Sequence, residues 1–268
     1  MEAGVTAGTV VMAVESYGVR LDIRLDDASL MPAVRPLLPP GWREAEESPA
    51  DVELALVRQG GSDSRFAVLY DAETIVSPVD LDIALRFLEE RIRGTVAVRA
   101  PDRIFIHAGV VAHEGRAVLL PADSFAGKTT LVAALVAQGA AYYSDEFAVV
   151  DPEGRVHPYP KLLSIRGGRG EPPADVPASE LGGSTGHEPV PVALVALTSY
   201  RQGAVWDPKP LDRGASALAL LSHTIPARQR PDEALHAVRK IAENGLCVAS
   251  DRGEAEPVAR ELLAEIAQ

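Results

Sequence analysis

The order of elements in this chain is predicted from one stretch, residues 117–130, which reads Ala117-Val118-Leu119-Leu120-Pro121-Ala122-Asp123-Ser124-Phe125-Ala126-Gly127-Lys128-Thr129-Thr130. Its first four residues are apolar and predict a buried strand. A turn of mostly small residues follows. The apolar run over residues 128–138 then predicts a helix that stops at Gly139, because glycine is favoured just beyond a helix end. The stretch therefore predicts a strand, a loop and a helix in direct succession.

This succession suits the binding of a polyphosphate, because the N–H groups of a small-residue loop and the amino end of a helix attract anions. The pattern Gly-x-x-x-x-Gly-Lys-Ser/Thr adds a lysine for the β- and γ-phosphates and a hydroxyl for Mg²⁺. Lys128 and Thr129 stand at those positions, and Ala122 replaces the first glycine. We therefore expect ATP and Mg²⁺ to be bound by Ala122, Asp123, Ser124, Phe125, Ala126, Gly127, Lys128, Thr129 and Thr130.

An acidic pair, Asp145 and Glu146, follows this helix after a short apolar segment. Phosphoryl transfer needs such carboxylates, because one accepts the proton of the attacking hydroxyl and another holds Mg²⁺. Adjacent acids are also common in exposed turns. The pair indicates chemistry only in combination with the loop.

The chain is predicted to divide near residue 100. Before that point, apolar and charged residues alternate over residues 19–26, which is typical of a half-buried strand. Apolar residues from Leu81 to Ile92 recur at helical spacing and predict an amphipathic helix, and Pro101 favours a boundary behind it. We expect a β-rich region over residues 1–100 and a second domain over residues 101–268.

The second half of the chain is predicted to contain one long loop and a helical end. Residues 167–191 are rich in Gly, Pro and Ser and are expected to be a mobile loop. Residues 192–199 predict a buried strand, and three helices are expected near residues 213–223, 232–244 and 254–267.

Composition excludes several classes of function. The chain has 268 residues, a net charge of −12 and a pI near 5.0, which oppose binding to nucleic acid or to an anionic membrane. Its apolar runs are too short to cross a bilayer, and its start lacks the basic residues of a secretory signal. The single Cys247 rules out an internal disulfide. We expect a cytoplasmic protein without nucleic-acid or membrane partners.

Four ordered segments between about residues 107 and 166 resemble the HPr kinase/phosphorylase family, especially the smaller HPr-kinase-related serine kinases. The segments are His107-Ala108-Gly109-Val110-Val111, residues 122–129, Ser144-Asp145-Glu146, and Leu163-Ser164-Ile165-Arg166-Gly167. The resemblance implies an α/β fold, with a P-loop nucleotide-binding domain of the HPr kinase and phosphoenolpyruvate carboxykinase type and a β-rich N-terminal part.

The resemblance also implies roles for individual residues. Lys128 and Thr129 would hold the phosphates and Mg²⁺, Asp145 would be the catalytic acid/base, and Glu146 would lie near the metal and phosphates. His107 matches a histidine that opens a family segment close to the active site.

The family's late arginine-bearing loop corresponds to residues 225–231. There, Arg228 or Arg230 would compensate the charge of the transition state. Such a run is equally typical of an exposed start of a helix, so both interpretations stay open.

Three positions depart from the family pattern. Ala122 and Phe125 replace glycines, and Ser164 replaces a glutamate of the bifunctional members. The resemblance therefore implies a kinase without supporting the reverse, phosphate-removing reaction.

The expected function is transfer of the ATP γ-phosphate to a Ser/Thr hydroxyl of a peptide or small protein. One alternative is a non-catalytic nucleotide-binding regulatory module, which the three departures favour. Another is a small-molecule kinase on the same fold, with residues 167–191 as a lid. Members of the family commonly assemble, so a homo-oligomer is also compatible with the resemblance.

Overall fold

The computed structural model describes residues 8–45, 49–59, 65–122, 126–165 and 174–267. The predicted loop residues Asp123, Ser124 and Phe125 therefore lie outside the described residues, as do Arg166 and Gly167. The chain divides into two units, Met1–Asp102 and Arg103–Gln268.

The described part of the first unit contains six strands, two α-helices and two 3-10 turns. They are β1 (Val10–Ser16), β2 (Val19–Leu25), a 3-10 turn (Ala28–Leu30), α1 (Met31–Val34), a 3-10 turn (Arg35–Leu37), β3 (Arg43–Glu44), β4 (Val52–Arg58), β5 (Phe66–Tyr70), β6 (Glu73–Val79) and α2 (Leu81–Arg99).

The six strands of this unit form one sheet in the order β3-β1-β2-β4-β5-β6. Its neighbouring pairs are antiparallel except β2 and β4, which run parallel. In β2, Val19, Leu21, Ile23 and Leu25 are buried, while the charged residues between them lie on the other face. The alternation in the sequence therefore corresponds to the two faces of a strand.

Helix α2 confirms the amphipathic helix predicted from residue 80 onwards. Its buried face carries Ala84, Leu88, Ile92 and Val96, which recur every four residues and contact the sheet through β4 and β5. Burial of each large side chain contributes roughly 1.5–3 kcal/mol, so this face fixes the helix on the sheet.

The described part of the second unit contains ten strands, four α-helices and two 3-10 turns. They are β7 (Ile104–His113), β8 (Arg116–Pro121), α3 (Lys128–Ala137), β9 (Ala141–Ser144), β10 (Phe147–Val150), β11 (Arg155–His157), β12 (Leu163–Ile165), β13 (Ala174–Val176), a 3-10 turn (Ala178–Leu181), β14 (Val190–Tyr200), β15 (Lys209–Pro210), α4 (Arg213–Ser222), a 3-10 turn (Ile225–Arg228), α5 (Pro231–Asn244), β16 (Leu246–Arg252) and α6 (Ala255–Ile266).

The second unit is built on an eight-stranded mixed sheet in the order β11-β10-β7-β8-β14-β16-β15, with β9 also paired to β7. Only β8 with β14 and β14 with β16 run parallel among the described pairs. The remaining pairs are antiparallel. Strands β12 and β13 form a separate small sheet.

This topology shows that the expected fold class is wrong. We expected a P-loop nucleotide-binding domain of the HPr kinase and phosphoenolpyruvate carboxykinase type. The structure is a mixed α/β protein, rich in strands, with three sheets, and it shows no fold specific to P-loop proteins. Strand β8, which precedes the loop, has antiparallel β7 on one side and parallel β14 on the other. A strand, loop and helix in succession do not determine these neighbours, because pairing depends on distant residues.

Helices cover both faces of the larger sheet. Val118 and Leu120 of β8 pack in one cluster with α3 and α6, while Leu119 packs in a second cluster with α4 and α5. Strands buried on both faces read as continuous apolar runs, which explains why residues 117–120 show no polar alternation.

The expectation of a long loop over residues 167–191 is wrong for its described part. Residues 174–191 contain β13, the 3-10 turn Ala178–Leu181 and the start of β14. No helix of the described ranges has both the length and the apolar character needed to cross a membrane.

Candidate functional site

The carboxyl ends of β8, β14 and β16 meet at one edge of the larger sheet, because these strands run parallel. Ala122 follows β8 at this edge. Strand β7 pairs Ala108 with Pro121, so His107 lies beside Ala122. Strand β9 runs antiparallel to β7 and ends at Ser144, which brings Asp145 to the same edge.

Gly127 is the N-cap of α3 and has a left-handed backbone, with φ +82°. Its carbonyl oxygen accepts hydrogen bonds from Leu131 N at 3.2 Å and from Arg252 Nη2 at 2.7 Å. A Cβ atom at this position would lie 2.6 Å from Arg252 Nη2. Glycine is therefore required both by the backbone conformation and by the space available.

Lys128 lies against His107 at the start of α3. Its Nζ is 2.7 Å from His107 Nε2 and also donates to the carbonyl oxygen of Ala122 at 3.4 Å. An ammonium group only donates hydrogen bonds, so His107 Nε2 is the acceptor and carries no proton in this contact. The structure thus brings together Lys128, His107 and the first residue of the predicted loop.

Asp145 is held through both of its carboxylate oxygens. Thr129 Oγ1 donates to Oδ2 at 3.3 Å, and the Tyr142 hydroxyl donates to Oδ1 at 3.1 Å. Burial raises the pKa of Tyr142 well above its usual value, and the nearby charge of Asp145 raises it further. The phenol therefore stays protonated at neutral pH and orients the carboxylate.

Glu146 has different partners. Its Oε2 is 3.6 Å from Lys161 Nζ, and its backbone N–H donates to Ser144 Oγ at 3.0 Å. The two predicted metal ligands thus have different neighbours, because Thr129 contacts Asp145 and Glu146 contacts Lys161.

The hydroxyl oxygen of Thr129 fits Mg²⁺, because this ion prefers oxygen ligands and takes few of them from the protein beside water and substrate phosphates. Among the described residues, no group of three or more His, Cys, Asp or Glu side chains is arranged to hold a metal ion.

The remaining predicted residues are Thr130, Arg228 and Arg230. Thr130 is exposed on α3, and Arg228 is exposed at the end of its 3-10 turn. Arg230 forms an ion pair with Glu233 and donates through Nη1 to the carbonyl oxygen of Arg103 at 3.2 Å. These two contacts position the start of α5.

Arg252 was not singled out from the sequence, although it contacts the loop directly. It is 1% exposed, and its guanidinium lies 5.6 Å from the ring centre of Tyr200. Tyr200 N in turn donates to the carbonyl oxygen of Ala126 at 3.4 Å. Burial lowers the pKa of Arg252, yet arginine stays protonated in proteins. A permanent positive charge therefore lies behind Gly127. The sequence gives no local signal for this contact, because Arg252 follows the polar residues Ser250 and Asp251.

A cleft of about 490 Å³ opens beside the loop at the same edge. It is lined by the ends of β8, β14 and β16, with Ala122 and Ala126 from the two sides of the predicted loop. Within the described residues, Thr198 Oγ1 is buried and has no hydrogen-bond partner. The lining residues are Pro121, Ala122, Ala126, Leu197, Thr198, Ser199, His223, Ala249, Ser250 and Asp251.

No protein-family model matches this chain, and no curated protein matches it.

Proposed function

We propose that the protein is an ATP-dependent kinase that transfers the γ-phosphate to a Ser/Thr hydroxyl of a protein or peptide. One observation carries the proposal: Thr129 in the first turn of α3 hydrogen-bonds Asp145 at 3.3 Å. This contact puts a carboxylate next to the helix end at which a polyphosphate would bind.

Polyphosphate binding is supported by three sources of positive potential. The amino end of α3 carries the positive end of the helix dipole, Lys128 offers an ammonium, and Arg252 adds a buried charge behind Gly127. Lys128 would bind the β- and γ-phosphates while it keeps its contact with His107, because an ammonium group has three N–H donors.

Asp145 would act on the acceptor. Its carboxylate would take the proton of the acceptor hydroxyl as that oxygen bonds to the γ-phosphorus, while the bond from this phosphorus to the ADP oxygen breaks. Tyr142 would keep the carboxylate oriented through its hydrogen bond at 3.1 Å. Mg²⁺, held by Thr129 and the phosphates, would supply charge neutralisation.

The proposal is tested with Asp145→Asn and radiolabelled ATP on an array of Ser- and Thr-containing peptides. Proton acceptance contributes typically about 10²–10⁴-fold, so label transfer is expected to fall by that factor. ATP affinity, measured by calorimetry, is expected to stay within about threefold, since Asp145 contacts the acceptor rather than the nucleotide.

Asp175→Asn is the matched control, because Asp175 is an exposed carboxylate in the small β12–β13 sheet. It should leave transfer unchanged. Full transfer by Asp145→Asn, or no binding of ATP to the unmodified protein, would contradict the proposal.

A non-catalytic nucleotide-binding module is the second candidate. It is favoured by the mutual contacts of the polar side chains, since Lys128 already contacts His107 and Thr129 already contacts Asp145. Such a module would bind ATP and transfer no label to any peptide of the array. Transfer that depends on Asp145 excludes it.

A further inference from the structure

The cleft beside the loop is distinct from the surroundings of Asp145. It lies over β14 and β16, on one side of β8, whereas Asp145 follows β9, which pairs with β7 on the other side. Asp145 is not among the described residues that line the cleft. An acceptor hydroxyl at Asp145 would therefore leave the cleft free. Its volume of about 490 Å³ lies in the range of small-molecule sites.

The charge in the cleft argues against phosphate as its occupant. Asp251 contributes a carboxylate to the lining, and its partner Arg201 lies at 3.0 Å in an ion pair exposed on both sides. Exposed pairs of this kind are weak, so the carboxylate remains able to accept hydrogen bonds from a ligand. A neutral group with several hydroxyl donors fits such an acceptor.

Two polar groups of neighbouring strands are available to such a ligand. Ser199 of β14 and Asp251 of β16 are exposed and line the cleft. They are in register, so their side chains lie on the same face of the sheet, whereas Thr198 pairs with Ser250 on the other face. Ser250 is already engaged, because its Oγ donates to Asp251 O at 2.8 Å and accepts from Asp207 N at 3.1 Å.

We propose that the cleft binds the ribose of the nucleotide, with its vicinal hydroxyls donating to Asp251 and hydrogen-bonding to Ser199. This inference rests on the proposed function, because it places the triphosphate on the loop and the nucleoside beside it. Ala122 and Ala126 line the cleft from both sides of the loop, so a ligand can run from one region into the other. Leu197 and Ala249 offer an apolar surface to the base.

The test compares three ligands by calorimetry on the full chain: ATP, 2′,3′-dideoxy-ATP and inorganic tripolyphosphate, each with Mg²⁺. The unmodified protein should bind ATP about tenfold more tightly than the dideoxy compound, the effect expected for one or two hydrogen bonds to a charged group. Asp251→Ala should abolish that difference and leave tripolyphosphate affinity nearly unchanged.

Asp207→Ala is the matched control for the loss of one negative charge. Asp207 is exposed, forms an ion pair with Lys209 and does not line the cleft, so the preference for ATP over the dideoxy compound should persist. Ser199→Ala is a second variant that removes only a hydroxyl, and it should reduce ATP affinity by about threefold without affecting tripolyphosphate.

The outcomes separate this inference from the proposed function. Equal affinities of the unmodified protein for ATP and the dideoxy compound would overturn the ribose site while the triphosphate site stands. An ATP preference that survives in Asp251→Ala would likewise overturn it. Failure of both ATP and tripolyphosphate to bind would overturn the proposed function, and the ribose site with it.

Discussion

Arg252 and Gly127 form the most constrained contact of the candidate site. The arginine is almost fully buried, and two of its nitrogens donate to carbonyl oxygens, those of Gly127 at 2.7 Å and Gly253 at 2.9 Å. Loss of these acceptors would leave a buried charge without hydrogen bonds, which would strongly destabilise the folded protein. The contact therefore connects Gly127, the N-cap residue of α3, to strand β16.

Substitution of Gly127 tests this contact, and Gly139 provides the control. Both residues have left-handed backbones, with φ +82° and +95°, but a Cβ atom at Gly139 would meet nothing within 4 Å. Gly139→Ala should lower the melting temperature by about 2–4 °C, the effect of roughly 1 kcal/mol. Gly127→Ala should lower it at least twice as far, because the new methyl group displaces Arg252. Equal shifts in scanning calorimetry would show that the guanidinium moves freely.

The parts of the candidate site that could be predicted are those that lie close together in sequence. Lys128 and Thr129 follow directly from the strand, loop and helix pattern, and Asp145 follows soon after. Arg252 is 125 residues from Gly127, and no periodicity or spacing connects the two. Only the pairing of β14 with β8 and β16 brings them together.

At the scale of single elements, the turn between β10 and β11 shows how a buried carboxylate organises the backbone. Asp151 is 3% exposed and accepts from His157 Nε2 at 2.9 Å, from Arg155 Nε at 3.1 Å and from Arg155 N at 2.8 Å. Burial raises the pKa of Asp151, but the hydrogen bonds from His157 and Arg155 outweigh it, and the pKa lies below its usual value.

The stabilisation by Asp151 should depend on pH. Because the folded-state pKa is lowered, the contribution is complete above the usual pKa of about 4 and is lost as the pH falls through the folded value. Asp151→Asn should therefore destabilise the protein by about 1–3 kcal/mol at pH 6. The difference should shrink toward pH 2, as measured by urea unfolding. Asp207→Asn, at an exposed carboxylate, should show no such trend, and a difference independent of pH would contradict the assignment.

Helix α2 and strand β16 show which elements the sequence reveals. Helix α2 has one buried stripe and one exposed face, so its apolar residues follow the helical period. Strand β16 was not predicted, because only Cys247, Val248 and Arg252 of its seven residues are buried and its last residues are polar. Its place in the sheet comes from parallel pairing with β14, which leaves no local signal.

At the scale of the whole molecule, the two units differ in their contribution to the candidate site. The candidate site is built from residues of the second unit, and its charges lie within a chain of net charge −12. A chain this acidic repels polyanions at long range, so the proposed binding of phosphate would depend on the local cations near Gly127.

Hydrogen exchange with and without ATP and Mg²⁺ tests whether the ligand binds to the second unit. Binding stabilises the elements that contact the ligand, so amides of residues 126–132, 142–147 and 249–252 should exchange at least about tenfold more slowly. Amides of β1 and β2 should keep their rates. Protection confined to β1 and β2 would place the ligand elsewhere and contradict both proposals.

The fold class could not be predicted because its evidence was local. Arg116–Pro121 form the strand and Lys128–Ala137 form the helix that the pattern indicates. The neighbours of that strand were inferred from the resemblance, and the mixed sheet with antiparallel β7 beside β8 differs from that inference. Pairing partners depend on contacts between residues far apart in the chain, which a short pattern does not record.

The contact between Lys128 and His107 has a thermodynamic consequence. A lysine side chain on the surface samples many torsional states, and ordering it on a ligand opposes binding. Here the ammonium is already placed 2.7 Å from an imidazole nitrogen, so folding has removed much of that freedom in advance. An anion arriving at α3 would meet a preorganised cation, and the entropic penalty of its capture would be correspondingly small.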